Sequence, residues 1–100
     1  MSRKHLSMNI KGKETLYKIN LKQTAEKDLD KINEPYISSI ISAIEQLSSN
    51  PRNEKVKKLV GKENEYRLRK GNYRILFYIN EDEKLVIIAR VLHRKDAYRL

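Results

Sequence analysis

Six residues in the second half of the chain have the types and spacing to do chemistry together: Arg67, Arg69 and Arg74 around one glycine turn, then His93, Arg94 and Tyr98. Guanidinium groups offer forked donors that match phosphate oxygens, and they stay charged at any working pH. His93 has the acid–base side chain, with an unperturbed pKa of about 6.5 suited to proton transfer near neutrality. Tyr98 offers an aromatic face for a nucleobase, or a phenol that assists proton transfer. Together these groups suit the handling of a phosphodiester. Plainer readings stand beside this one: a solvated basic face with arginines paired to Glu63 or Glu65, a strand-end histidine, and a tyrosine packed at the core rim. No pair of carboxylates lies in the basic strands, which argues against a two-metal nuclease.

The elements that must position these residues follow from the turn. Gly71-Asn72 places glycine at the first central position of a two-residue loop, favouring a type II′ hairpin. The register then sets Lys70 opposite Tyr73, Arg69 opposite Arg74, Leu68 opposite Ile75 and Arg67 opposite Leu76. Because side chains alternate faces, Tyr66, Leu68, Ile75 and Phe77 share one face, and Arg67, Arg69 and Arg74 share the other with Leu76 and Tyr78. Two arginines directly opposite each other destabilise a sheet, so their placement there points to a ligand. A third strand, Lys84–His93, is apolar on both faces over Leu85 to Ala89, predicts a central position and delivers His93 and Arg94 to one sheet edge.

Upstream, Tyr17, Ile19 and Leu21 alternate with Lys18, Asn20 and Lys22, predicting a strand over 15–22. Thr24 is a candidate N-cap for a short helix with Ala25, Leu29 and Ile32 on its apolar side. Asn33-Glu34-Pro35 separates it from a second helix with the stripe Ile37, Ile40, Ile41, Ile44 and Leu47. Arg52 to Lys62 is basic, with Val56, Leu59 and Val60 as anchors. Residues 1–14 read as a basic, mobile tail and 15–100 as a single domain. The fold class is α+β: an N-terminal strand, an antiparallel two-helix hairpin, then a three-stranded antiparallel meander in one twisted sheet.

The totals agree. With 100 residues the chain has room for one modest core, and its net charge of +9 concentrates polyanions around it. Arg90, Lys95 and Arg99 read as surface charge. The chain has no cysteine, which removes disulfides and thiolate metal sites, and its two histidines, His5 and His93, are too few for a histidine-rich metal site. No signal peptide or membrane-spanning run is visible, so the expected location is the cytoplasm, with no membrane partner.

The stretch Glu65-Tyr66-Arg67-Leu68-Arg69-Lys70-Gly71-Asn72-Tyr73-Arg74-Ile75-Leu76-Phe77-Tyr78 resembles the signature of RelE/ParE toxins, in which a Tyr-Arg-Leu-Arg-like strand runs through a glycine turn into Tyr-Arg-Ile. His93-Arg94-Lys95-Asp96-Ala97-Tyr98 is similar to that family's closing His-Arg…Tyr motif, and Asn50-Pro51-Arg52 leading to Lys58-Leu59-Val60-Gly61 fits its linker. The resemblance covers Tyr17 to Leu100. It implies a RelE-like microbial RNase fold and the toxin of a type II toxin–antitoxin system. The implied activity is cleavage of mRNA in the ribosomal decoding site, without metal or other cofactor. A cognate antitoxin is the implied protein partner, and ribosome and mRNA the implied targets. Arg67 and Arg69 stand where relatives often carry lysine, which casts them as phosphate clamps with Arg74 and Arg94, and leaves His93 as acid–base candidate with Tyr98 assisting. Two alternatives share the pattern: a ParE-like DNA gyrase inhibitor acting by protein binding, and a nucleic-acid-binding domain without catalysis.

Overall fold

A computed structural model describes residues 16–97. In order these form β1 (Lys18–Leu21), α1 (Gln23–Asp30), α2 (Tyr36–Gln46), β2 (Val56–Lys58), β3 (Glu65–Lys70), β4 (Tyr73–Asn80), β5 (Leu85–His93) and α3 (Arg94–Ala97). One five-stranded sheet has the order β1-β5-β4-β3-β2. The α+β arrangement is the expected one. The tail assigned to residues 1–14, and Tyr98 and Arg99, lie outside the described residues.

The apolar β5 is an interior strand, paired in parallel with β1 and antiparallel with β4. A parallel pair needs a crossover, and α1 and α2 lie within it. On the helix-covered face the sheet buries Tyr66, Leu68, Ile75, Phe77, Ile79, Val86, Ile88 and Val91. Against them pack Ala25, Leu29, Ile37, Ile40, Ile44 and Leu47. Each large side chain here contributes about 1.5–3 kcal/mol by leaving water. Ile41, expected in the α2 stripe, is only partly buried, and Ala43 is buried in its place.

The β3–β4 hairpin has the register deduced from its turn, from Lys70 opposite Tyr73 down to Glu65 opposite Tyr78. Gly71 sits at φ +58 while Asn72 has no positive φ, which is the type II′ pattern. A bulge lies elsewhere. Leu76 pairs with Arg90 and Phe77 with Ile88, so Ala89 is an extra residue in β5. The bulge lets Val86 and Ile88 before it, and Val91 after it, all face the helices despite the odd spacing.

Three expectations need correction. Thr24 is not an N-cap: α1 begins at Gln23 after Lys22, which makes no side-chain capping bond. Instead Thr24 Oγ1 donates to the Ala89 carbonyl at 2.7 Å. The last β1 residue, Leu21, pairs with Ile88, so Ala89 lies beyond β1's reach and a hydroxyl from α1 satisfies it. Val56 begins a short strand, β2, that pairs with β3 from Val56 opposite Leu68 to Lys58 opposite Tyr66. Its three residues are too few to show an alternation above the surrounding lysines. Val60, read as an anchor, is 96% exposed, because the chain has left the sheet to turn at Gly61.

Candidate functional site

The pairing places the basic side chains in rows on the face away from α1 and α2. One row runs Lys57, Arg67, Leu76, Arg90 from β2 to β5; the next runs Arg69, Arg74, Leu92. The structure therefore brings Arg67, Arg69 and Arg74 together on one face, as their spacing required. It also adds Lys57, which sequence reasoning missed because β2 was not anticipated. Arg67 and Arg74 are half-buried and Arg69 is exposed. Like charges opposite one another cost the sheet roughly 0.2–1 kcal/mol.

Arg74 is tethered: its Nη1 donates to the Gly71 carbonyl at 3.2 Å and to the Tyr73 carbonyl at 3.0 Å. The turn thus holds the guanidinium beside the glycine it follows. Glu65 shares the arginine face by register, yet no ion pair joins Arg67 or Arg69 to it, to Glu63 or to any other carboxylate among the described residues. The expected alternative, arginines neutralised by those glutamates, is not what forms.

Two grooves meet at Arg67. One, of about 530 Å³, is walled by Leu59, Lys62, Arg67, Leu76, Tyr78 and Arg90. The other, of about 470 Å³, is walled by Lys55, Lys57, Arg67, Arg69 and Gly71, with Glu54 the one carboxylate among its described residues. Volumes of roughly 300–1,000 Å³ suit small ligands or single nucleotides.

Arg90, expected as surface charge, is engaged instead. Its Nε donates to Asp28 Oδ2 at 2.8 Å and its Nη2 to Asp28 Oδ1 at 3.1 Å. Asp28, buried in α1, also accepts the Val91 N–H at 2.8 Å. The side-chain hydrogen bond with Asp28 holds the Arg90 pKa above its ordinary value. Asp28 therefore does for the free edge of β5 what a longer β1 would have done, and fixes Arg90 at the groove rim.

His93 goes elsewhere. It pairs with Tyr73, whose side chain shares a face with Ile75, so its ring lies on the helix side of the sheet. There its centroid is 5.5 Å from that of Tyr73, edge-on at 77°, and Tyr73 in turn lies 6.2 Å from Tyr36 of α2. His93 Nδ1 accepts the Lys95 N–H at 3.3 Å. The structure places His93 at the hairpin end of the sheet but on the opposite face from the three arginines. Arg94 is exposed at the start of α3, with its N–H bonded to the Asn72 carbonyl at 2.7 Å.

At the other end of the sheet a second polar cluster went unseen in the sequence. Glu81, in the β4–β5 turn, accepts from Tyr17 Oη at 3.0 and 2.8 Å and from Lys84 Nζ at 3.1 Å, and pairs with Arg52. Arg52 also donates to Tyr66 Oη at 3.3 Å and lies 5.4 Å from that ring. The Arg52 hydrogen bond first, then those of Tyr17 and Lys84, bring the Glu81 carboxyl down to about 2. The cluster braces the linker, the entry to β1 and the β4–β5 turn. Apart from the Lys84–Glu81 pair within the turn, its partners are 14 to 64 residues apart in the chain, and no local motif marks them.

Comparison with known proteins adds a consistent set of likenesses. The family described as ParE toxin of type II toxin-antitoxin system, parDE, matches residues 19–98. Toxin RelG of Mycobacterium tuberculosis is 33% identical over 86 residues, covering 83% of this chain and 97% of RelG. Toxin RelE3 of Methanocaldococcus jannaschii is 51% identical over 43 residues, 43% of this chain, and that match spans 47% of RelE3. Among solved structures, the toxin–antitoxin complex RelBE2 from Mycobacterium tuberculosis aligns at a TM-score of 0.69 and 30% identity, over 80% of this chain and 100% of that one. The RelB–RelE complex from Methanococcus jannaschii aligns at 0.67 and 37%, over 80% and 95%.

Proposed function

Because this chain belongs to the RelE/ParE superfamily of type II toxins, we propose that it is a ribosome-dependent mRNA endoribonuclease acting in the cytoplasm. The observation that carries the proposal is the open sheet face: Arg67, Arg69 and Arg74 side by side with Lys57, with Arg67 and Arg69 free of carboxylate partners among the described residues. In the reaction a ribose 2′-OH attacks the adjacent phosphorus and the bond to the 5′-oxygen breaks. The products are a cyclic phosphate, which opens to a 3′-phosphate, and a 5′-hydroxyl. The arginines hold the phosphate and stabilise the charge it gains, a contribution that is often the largest in such catalysis. Arg94 adds to this field from the hairpin end.

Arginine cannot take the 2′-OH proton. His93 lies on the opposite face, and its edge-on contact with Tyr73 favours a role in holding that ring. Proton transfer in this proposal therefore falls to groups outside the open-face arginines. The ribosome holds the nucleotide in line, and such positioning lowers barriers by several kcal/mol. A cognate antitoxin is the partner we propose, since two of the similar structures are toxin–antitoxin complexes. Acidic or amphipathic segments would complement the basic face.

The test is a translating ribosome system with mRNA ends mapped by primer extension. Arg74→Ala should lower cleavage by about 10²-fold or more, and His93→Ala by less than tenfold, as expected for a support and not an acid. Intact mRNA with the wild-type protein would remove the nuclease reading. The ParE family match makes DNA gyrase the next target, assayed by supercoiling.

A further inference from the structure

The groove of Lys55, Lys57, Arg67 and Arg69 does not end at the sheet edge. The last β2–β3 pair is Val56 opposite Leu68, so the β3 edge at Arg69 and Lys70 has no strand beside it among the described residues. Around that open edge lies a cleft of about 360 Å³ between the start of α2 and the hairpin. It shares Lys55, Arg69 and Gly71 with the groove on the arginine face. Tyr36 and Tyr73 wall its far side, Lys70 joins the cations, and none of its described lining residues is acidic. The side chains of Lys55, Arg69 and Lys70 have no hydrogen bond or ion pair among the described residues.

Tyr36 contributes little to the core. It is 56% exposed, although it opens the helix whose next residue, Ile37, is buried. Its ring lies 6.2 Å from Tyr73, inclined at 46°, and His93 braces Tyr73 from behind. An exposed ring on a rigid helix start, backed by a fixed ring and ringed by cations, has the make-up of a stacking platform for single-stranded nucleic acid. A protein partner would have to bring acidic groups into the same space. A polynucleotide brings base and phosphate together.

We propose that this cleft is a second nucleotide subsite. Tyr36 and Tyr73 stack the base next to the nucleotide held on the arginine face. Lys55, Arg69 and Lys70 bind the phosphate joining the two as the strand bends around the open β3 edge. The inference rests on the proposed nuclease function, from which it takes the nucleotide on the arginine face.

The experiment uses the full chain and a fluorescent 2′-O-methyl tetraribonucleotide, which cannot be cleaved, with binding followed by anisotropy. Tyr36→Ala should weaken binding about tenfold, within the range of single base–aromatic stacks, and Tyr36→Phe should stay within twofold of wild type. Thermal melts check that the exposed position leaves the fold intact. Wild-type protein that fails to bind the probe, or Tyr36→Ala that binds as tightly as wild type, overturns the subsite. If Tyr36→Ala spares the probe and weakens an antitoxin complex instead, the cleft is a protein-docking surface and the proposal also falls. Because the probe is uncleavable, loss of the Tyr36 effect sinks the subsite alone. Intact mRNA on ribosomes with the Tyr36 effect present sinks the nuclease activity alone.

Discussion

Arg69→Gln should make the protein more stable and less active. Arg69 is exposed and opposite Arg74 in the ladder, where Cβ atoms lie about 5 Å apart. Two guanidinium groups about 7 Å apart repel by roughly 0.6 kcal/mol in water, and physiological salt reduces this to a few tenths. Arg67 and Lys70, the chain neighbours on either side of Leu68 and Arg69, add further repulsion. A gain of about 0.3–0.8 kcal/mol follows, or about 2–5 °C in Tm for a domain of this size. Arg74→Gln should not give the same gain, because it also removes the bonds to the Gly71 and Tyr73 carbonyls. On the functional side, losing one phosphate contact should flatten the salt slope of RNA binding by about 0.7. Ribosome-dependent cleavage should fall about 10²-fold. Calorimetry in about 50 mM and about 500 mM NaCl would show the stability gain shrinking as salt rises, by the screening argument. A lower Tm for Arg69→Gln, or a gain indifferent to salt, would refute the claim that this pair is held against its own repulsion.

Two further predictions concern the frame. Asp28→Ala removes the acceptor for the buried Val91 N–H and the partner of Arg90. It should cost about 2–3 kcal/mol, most of it from the orphaned N–H, since Arg90 is 40% exposed and its ion pair is screened. Urea melts would show this as a lower midpoint at unchanged slope. The Glu81 carboxyl is depressed from 4.5 to about 2, so its stabilising effect is complete above about 4.5 and is lost as pH falls towards 2. Wild-type protein should therefore lose stability over that window more steeply than Glu81→Gln, as measured by Tm against pH. Parallel curves would show that the cluster with Arg52, Tyr17 and Lys84 does not stabilise the fold.

Legibility in the sequence followed the range of the interaction. The hairpin could be read because its register depends on two adjacent residues, Gly71 and Asn72, and alternation then assigns every side chain to a face. The stripe of α2 and the interior place of β5 were equally local patterns. What escaped depends on residues far apart. Thr24 looks like a cap until the Ala89 bulge, 65 residues on, presents a carbonyl for its hydroxyl. Arg90 looks like surface charge until Asp28 arrives from α1. Lys57 joins the arginine face only because β2 docks on β3. The face taken by His93 escaped for a sharper reason. Adjacency in sequence suggested that His93 and Arg94 serve one site, but Arg94 already belongs to α3, and His93, the last residue of β5, takes the face of its partner Tyr73. The same alternation that gathers the arginines sends His93 to the helix side.

The division between the two faces of the sheet explains how the fold tolerates its basic surface. Among the described residues, all eight buried in the sheet lie on the side of α1 and α2, where they pack against the helices. The loose ends of that packing are closed by α1 itself, with Thr24 on the Ala89 carbonyl and Asp28 on the Val91 N–H. Stability is thus supplied by one face and its edge. The other face can hold Lys57, Arg67, Arg69 and Arg74 against a repulsion of about 1 kcal/mol or less per pair, small beside the core. Those charges are then already gathered when an anion arrives. A chain that had to assemble four cations on binding would lose that cost from its affinity; here folding has met it in advance.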